Sequence, residues 1–199
     1  MVNSEEYKSL RDLEEENRME TFAQYILEET DYIKKMEIVY YLKKKTNIFY
    51  DKSVILKTEL AKLFIETMNI DVDSNLVITA CLLCACQKKD NPRTKEEIEL
   101  YAKDSAEFLK TLGFSDRFCK ICLEQNRYSG SEPRERESDI LELVDNFGGM
   151  LMHRPERRGF PVDEALILLK ERNLKDKNNI YLDDFVNFVE QMKEVKVSG

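Results

Sequence analysis

Apolar residues recur at three- and four-residue spacing along most of the chain, the period of an amphipathic helix. Residues 5–18 are polar, with Tyr7, Leu10 and Leu13 as a thin apolar stripe. Residues 20–29 place Phe22, Ala23, Ile26 and Leu27 on one face. Thr30-Asp31 is a candidate cap for a helix over 32–45, whose last turn carries Lys43, Lys44 and Lys45 where cations complement the helix dipole. A connection follows at 46–52, and then a chain of further helices. The first covers 53–68; the second, 75–87, is capped by Asp73 or Ser74 and is apolar on all sides, as a central helix is. After a break at Asn91-Pro92-Arg93-Thr94, Thr94 and Glu97 form a capping-box pattern for 95–111, and Gly113 is a natural stop. Ser115 caps 116–126, a loop covers 129–133, and helices are expected at 137–152, at 162–171 opened by Pro161, and at 181–194. No useful strand-like alternation and no internal repeat is present. The expected fold is all-α.

Composition narrows this further. Six Gly and four Pro in 199 residues argue against an all-β fold, which needs many tight turns. The chain is long enough for one domain with an extension. Lys and Arg number 31 against 39 Asp and Glu, a formal net charge of −8, so there is no global pull toward nucleic acid or an anionic membrane. The longest apolar run, Leu76 to Cys86, is 11 residues and includes Thr79, which suits a buried helix and not a membrane span. The charged N-terminus has no apolar core of a secretory signal. Five cysteines, three of them crowded at 81, 84 and 86, do not make a disulfide framework. A reduced, cytoplasmic setting is the expectation.

Chemistry is bounded by a single histidine, His153, which rules out mechanisms needing two or more imidazoles. Cys81-x-x-Cys84 and Cys119-x-x-Cys122 have zinc-like spacing, but both fall in apolar helical segments where packing thiols are the expected reading. No general acid, base or nucleophile stands out, and no glycine-rich phosphate loop is present.

Three stretches, in order, resemble the HD-GYP branch of the HD phosphohydrolase family. Residues 80–89 (ACLLCACQKK) resemble the helix written A-x-L-L-H-D-I-G-K. Residues 124–130 (EQNRYSG) resemble the H-H-E stretch leading to G-Y-P. Residues 140–157 resemble I-L-x-V-A-D-x-F-D-A-L-x-x-x-R-P-Y-R, with Val144-Asp145, Phe147 and Arg154-Pro155 at the matching offsets. The resemblance covers about 53–195 and divides the chain into an N-terminal helical extension, 1–46, and an HD-domain-like helical bundle, 47–199.

That family uses a His and Asp cluster to hold two or three metal ions, which activate water against a phosphodiester, commonly in cyclic di-GMP. Carried over here, the His-Asp pair falls on Cys84-Ala85. The first His falls near Ser53, or on Lys57 in another register, and a later one near Tyr101. The His-His pair falls on Glu124-Gln125 and the next Glu on Asn126, while the G-Y-P turn is absent. Asp145 keeps the late ligand Asp, and Lys88 keeps the lysine of the His-Asp motif. His153 lies after every ligand position, so no register restores the imidazoles.

The resemblance therefore implies a catalytically inactive domain without metal or cofactor, acting in signalling or protein interaction. The alternative is a residual metal-dependent phosphohydrolase with an altered ligand set at Cys84, Glu124 and Asp145. A phosphate-bearing ligand such as a cyclic dinucleotide has candidate contacts in Lys88, Arg127 and Arg154. A protein partner or a homodimer is expected, and neither nucleic acid nor membrane insertion. The N-terminal helices either pack on the domain or mediate dimerisation.

Overall fold

The helix boundaries follow from residues that satisfy the backbone groups left free at helix ends. A computed structural model describes residues 22–89, 94–129, 131–155, 157–175 and 178–197. It contains α1 (22–28), α2 (Tyr32–Thr46), α3 (Lys52–Met68), α4 (Ser74–Leu83) and α5 (Lys95–Thr111). After these come α6 (Asp116–Leu123), a 3-10 turn (Arg127–Ser129), α7 (Arg136–Leu151), α8 (Val162–Leu168) running into a π-turn (Leu169–Asn173), and α9 (Leu182–Val197). No strand occurs among the described residues, so the all-α class holds; an isolated bridge pairs Arg154 with Arg157. The expected helix over 5–18 and the break at 91–93 lie outside the described residues.

Asp31 accepts hydrogen bonds from Ile33 N and Lys34 N, Asp51 from Ser53 N, Asp73 from Leu76 N and Ser115 from Phe118 N. Thr94 and Glu97 exchange both bonds of a capping box, at 3.2 and 3.3 Å. Each such cap contributes about 1 kcal/mol. At the other ends, Asn47 and Asn69 take the left-handed conformation with φ of 57° and 50°, which asparagine tolerates better than most residues. Gly113, at φ 84°, stops α5 where a Cβ would be strained.

Three helices end differently from the apolar pattern. α4 stops at Leu83 although apolar residues continue to Cys86. Residues 84–87 turn instead, held by Phe49 N donating to Cys86 O at 2.7 Å and by Gln87 N donating to Ser105 Oγ at 3.0 Å. α6 stops at Leu123 because the carbonyls of Glu124 and Asn126 accept from the Arg134 guanidinium, at 2.9 and 3.2 Å. α8 closes at Leu168 and continues as the π-turn to Asn173.

α4 is the central helix. Val77, Ala80, Cys81, Leu82, Leu83 and Cys84 are all buried, and it packs against α2, α3, α6 and α7. Phe64 of α3, Phe147 of α7 and Phe185 and Phe188 of α9 form an aromatic cluster with centroid spacings of 5.1–5.8 Å. Aromatic pairs at this range add to their area burial. α1 and α2 share this core through Ala23, Ile26 and Val39, so residues 22–46 pack on the rest of the chain. Lys35, 1 % exposed, joins them: its ammonium donates to Ile26 O of α1 and, at 2.6 Å, to Thr79 Oγ1 of α4. Asn75 of α4 donates to Leu27 O alongside it. Among the described residues no helix is long and apolar enough to cross a membrane.

Candidate functional site

α3, α4 and α7 bring Lys57, Cys84 and Asp145 to one point. Lys57 Nζ lies 3.1 Å from Asp145 Oδ1 and donates to Cys84 Sγ at 3.3 Å. Lys57 is buried, whereas 41 % of the Asp145 side chain is exposed. Burial works against the Lys57 charge, but the Asp145 carboxylate, with the Cys84 sulfur accepting a hydrogen bond beside it, outweighs burial and holds the ammonium protonated, above the ordinary lysine value. Burial also works against the Asp145 charge, but Lys57, Lys88 and Arg154 outweigh it and hold the carboxyl below its ordinary value. Burial raises the Cys84 thiol, so at neutral pH the centre is an ammonium–carboxylate pair beside a neutral sulfur.

The solvent-facing side of Asp145 opens into a cavity of about 250 Å³. α5 contributes Ile98 and Tyr101; α7 contributes Glu142, Asn146, Gly149 and Met150. Gln125, Asn126, Arg127 and Tyr128 follow α6; Lys88 follows α4; Arg154 and Arg157 follow α7; and Asn173 ends the π-turn. Lys88, Arg127 and Arg154, the three candidate phosphate contacts, therefore line the same cavity. They differ in what else they touch. Arg127 pairs with Glu142 at 2.8 Å and with Asp139 at 3.0 Å, and Arg134 pairs with the same Asp139 oxygen at 3.0 Å. Asn179 donates to Glu142 Oε2 and Ile180 N to Asp139 Oδ2, so this is a closed network tying the loop after α6 to α7 and to the start of α9. Lys88 lies over the Phe49 ring, 5.0 Å from its centroid, and has no ion-pair partner among the described residues.

The positions aligned with the family's His-His pair serve structural ends. Glu124 is fully buried; its Oε2 accepts from Glu135 N at 2.9 Å and from Ser138 Oγ at 2.8 Å, and its Oε1 lies 3.5 Å from Lys120. Gln125 donates through Nε2 to Cys84 O at 2.6 Å and to Cys122 O at 3.1 Å. Tyr101 lines the cavity with its hydroxyl pKa raised, chiefly by burial. Ala85 is buried and carries no donor atom.

The metal set that the resemblance implies is not matched by these residues. The Lys57 ammonium stands against both Cys84 and Asp145, Ala85 offers nothing, and Glu124 turns toward α7 and the backbone of Glu135. Among the described residues no three His, Cys, Asp or Glu side chains converge as a metal site. The five cysteines are free and buried, Cys81 and Cys84 at the end of α4, Cys86 in the turn after it, and Cys119 and Cys122 in α6. His153 is exposed, and its Nδ1 accepts from Gly159 N at 3.2 Å.

Sequence reasoning left Lys57 as a second register and did not single out Asn146 or Asn173 as site residues. Arg157 stood in the third matching stretch; Asn173 reaches the cavity only through the π-turn, which no residue pattern announced. Compared with models of protein families, with curated proteins and with solved structures, the chain matches none.

Proposed function

We propose that the chain is a non-catalytic, HD-GYP-like domain that works by binding, as a signalling or protein-interaction module. The observation that supports this most is the Lys57–Asp145 pair with Cys84 against it. In the alignment that the resemblance suggests, Cys84 and Asp145 fall at ligand positions, and a third falls near Ser53 or, in another register, on Lys57. A buried ammonium there repels a divalent cation and neutralises the Asp145 carboxylate. With a divalent cation disfavoured there, and with no imidazole among the described residues that line the cavity, the side chains present do not assemble a hydrolytic centre.

The test is turnover. Purified protein incubated with Mn²⁺, Fe²⁺ or Mg²⁺ and cyclic di-GMP is expected to leave the dinucleotide intact. Hydrolysis above the metal-only background, abolished by Asp145→Asn, would overturn the reading in favour of a residual phosphohydrolase.

A further inference from the structure

We infer that the cavity beside Asp145 binds a small phosphate monoester, up to the size of one mononucleotide, with Lys88 and Arg154 as its anion contacts. This rests on the reading of the domain as one that binds without turnover, and adds the ligand class.

Charge is the first ground. Four cations line the cavity, Lys88, Arg127, Arg154 and Arg157, against two carboxylates, Asp145 and Glu142. Both carboxylates are already matched, Asp145 by Lys57 and Glu142 by Arg127. Arg157 directs its guanidinium to the carbonyls of Gly149, Met150 and Arg158, at 2.8–3.1 Å. Lys88 and Arg154 remain without an ion-pair partner among the described residues, on the wall of one concave site. Burial lowers the Lys88 pKa, Asp145 partly offsets this, and Lys57 and Arg154 lower it further. An anion seated between Lys88 and Arg154 removes that repulsion. A phosphate monoester carries about −1.5 to −2 at neutral pH and gives both cations a counter-charge, which Asp145 supplies to them only in part.

Size and hydrogen bonding are the second ground. A cavity of about 250 Å³ lies below the range usual for drug-sized ligands, roughly 300–1,000 Å³, and suits one nucleotide unit better than the two bases, two sugars and two phosphates of a cyclic dinucleotide. Gln125 lines the cavity and is 1 % exposed, and its Oε1 has no hydrogen-bond partner. A buried acceptor in this state calls for a donor, so the ligand body carries a hydroxyl or an N–H. Ile98 and Met150 supply apolar wall for the rest of it. Gly149 keeps the space open: a Cβ there would sit 3.4 Å from Arg154 Nη2.

The experiment is calorimetric titration of the full chain with inorganic phosphate, a set of sugar phosphates and nucleoside 5′-monophosphates, cyclic di-GMP and a phosphoserine peptide, with the nucleotide arms also checked for hydrolysis. At least one monoester is expected to bind tenfold or more tightly than inorganic phosphate and than cyclic di-GMP. Lys88→Gln and Arg154→Gln should each weaken it at least tenfold. Gly149→Leu, which keeps every charge and fills the space, should do the same; circular dichroism checks that each variant is folded. Binding should weaken as pH falls from 7.5 to 5, as the phosphate takes up its second proton. Failure of every monoester to bind, tighter binding of cyclic di-GMP or of the peptide, or affinity unchanged in the three variants would overturn the inference. Without hydrolysis, those results leave the non-catalytic reading standing; hydrolysis of cyclic di-GMP overturns that reading and, with it, this one.

Discussion

Lys57 Nζ lies 3.1 Å from Asp145 Oδ1, joining α3 to α7 across 88 positions of sequence at the edge of the cavity. The two ends of this pair are unequal: the ammonium is buried, while the carboxylate faces partly into solvent. Removing either partner therefore has a different consequence. Asp145→Asn leaves a buried ammonium without its counter-charge and is expected to cost about 3–5 kcal/mol. Lys57→Met leaves a carboxylate that solvent still screens, and is expected to cost nearer 1–2 kcal/mol. Urea unfolding of both variants at pH 7 measures the order; equal or reversed costs would contradict the pairing.

The same pair sets an acid response. The Asp145 carboxyl is held below its ordinary 3.8, because Lys57, Lys88 and Arg154 outweigh the effect of burial. Its contribution is fully present above the unfolded value and is lost as pH falls through the lower, folded value. The stability difference between the wild type and Lys57→Met should thus be constant from pH 5 to 7 and shrink below about pH 4. Unfolding midpoints across that range read it directly; a gap that widens in acid would contradict it.

Lys35 makes the opposite prediction at alkaline pH. Burial draws its pKa from 10.5 down to about 8, with Glu29 and Asp73 offsetting part of the effect. Below pH 8 the group is charged in both folded and unfolded chains, and the cost of burying that charge is fully present. Between 8 and 10.5 the unfolded chain holds more protons than the folded one, so stability from this group rises with pH. Relative to Lys35→Met, the wild type should gain about 1 kcal/mol from pH 7 to pH 9. The comparison with the variant cancels the cysteines and tyrosines that also titrate in this range. No change in the gap would show that α1 is not held by a buried lysine.

Arg127 and Arg154 line one cavity but carry different loads. Arg127 balances Asp139 and Glu142, both buried, so Arg127→Met should destabilise the fold by about 2–4 kcal/mol. Arg154 has no such partner among the described residues, and Arg154→Gln should stay within about 0.5 kcal/mol of the wild type. Thermal unfolding of the two variants without ligand distinguishes these roles; a large loss in Arg154→Gln would place that arginine in the framework of the fold.

Much of the fold could be read from caps and periodicity, because these are local. Asp31, Asp73, Thr94, Ser115 and Gly113 act where the sequence places them. Where α4 and α6 end could not be read the same way, since Phe49, Ser105 and Arg134 intercept backbone groups from distant parts of the chain. The site divides along the same line. Lys88, Gln125, Asp145 and Arg154 were marked by their offsets within the matching stretches, and Tyr101 by its place on the helix between them, and the cavity gathers them. That Lys57 neutralises Asp145, and that Arg127 is tied to Asp139 and Glu142, depends on helix packing, which spacing does not encode.

Metal stoichiometry tests the proposed non-catalytic reading most directly. The folded protein would be exposed to Mn²⁺, Fe²⁺ and Zn²⁺ in turn, freed of unbound ion by gel filtration, and assayed by elemental analysis alongside Asp145→Asn. With the Lys57 ammonium against Asp145 and Cys84, the wild type should retain well under one ion per chain and match the variant. One or more ions per chain, lost on Asp145→Asn, would contradict it.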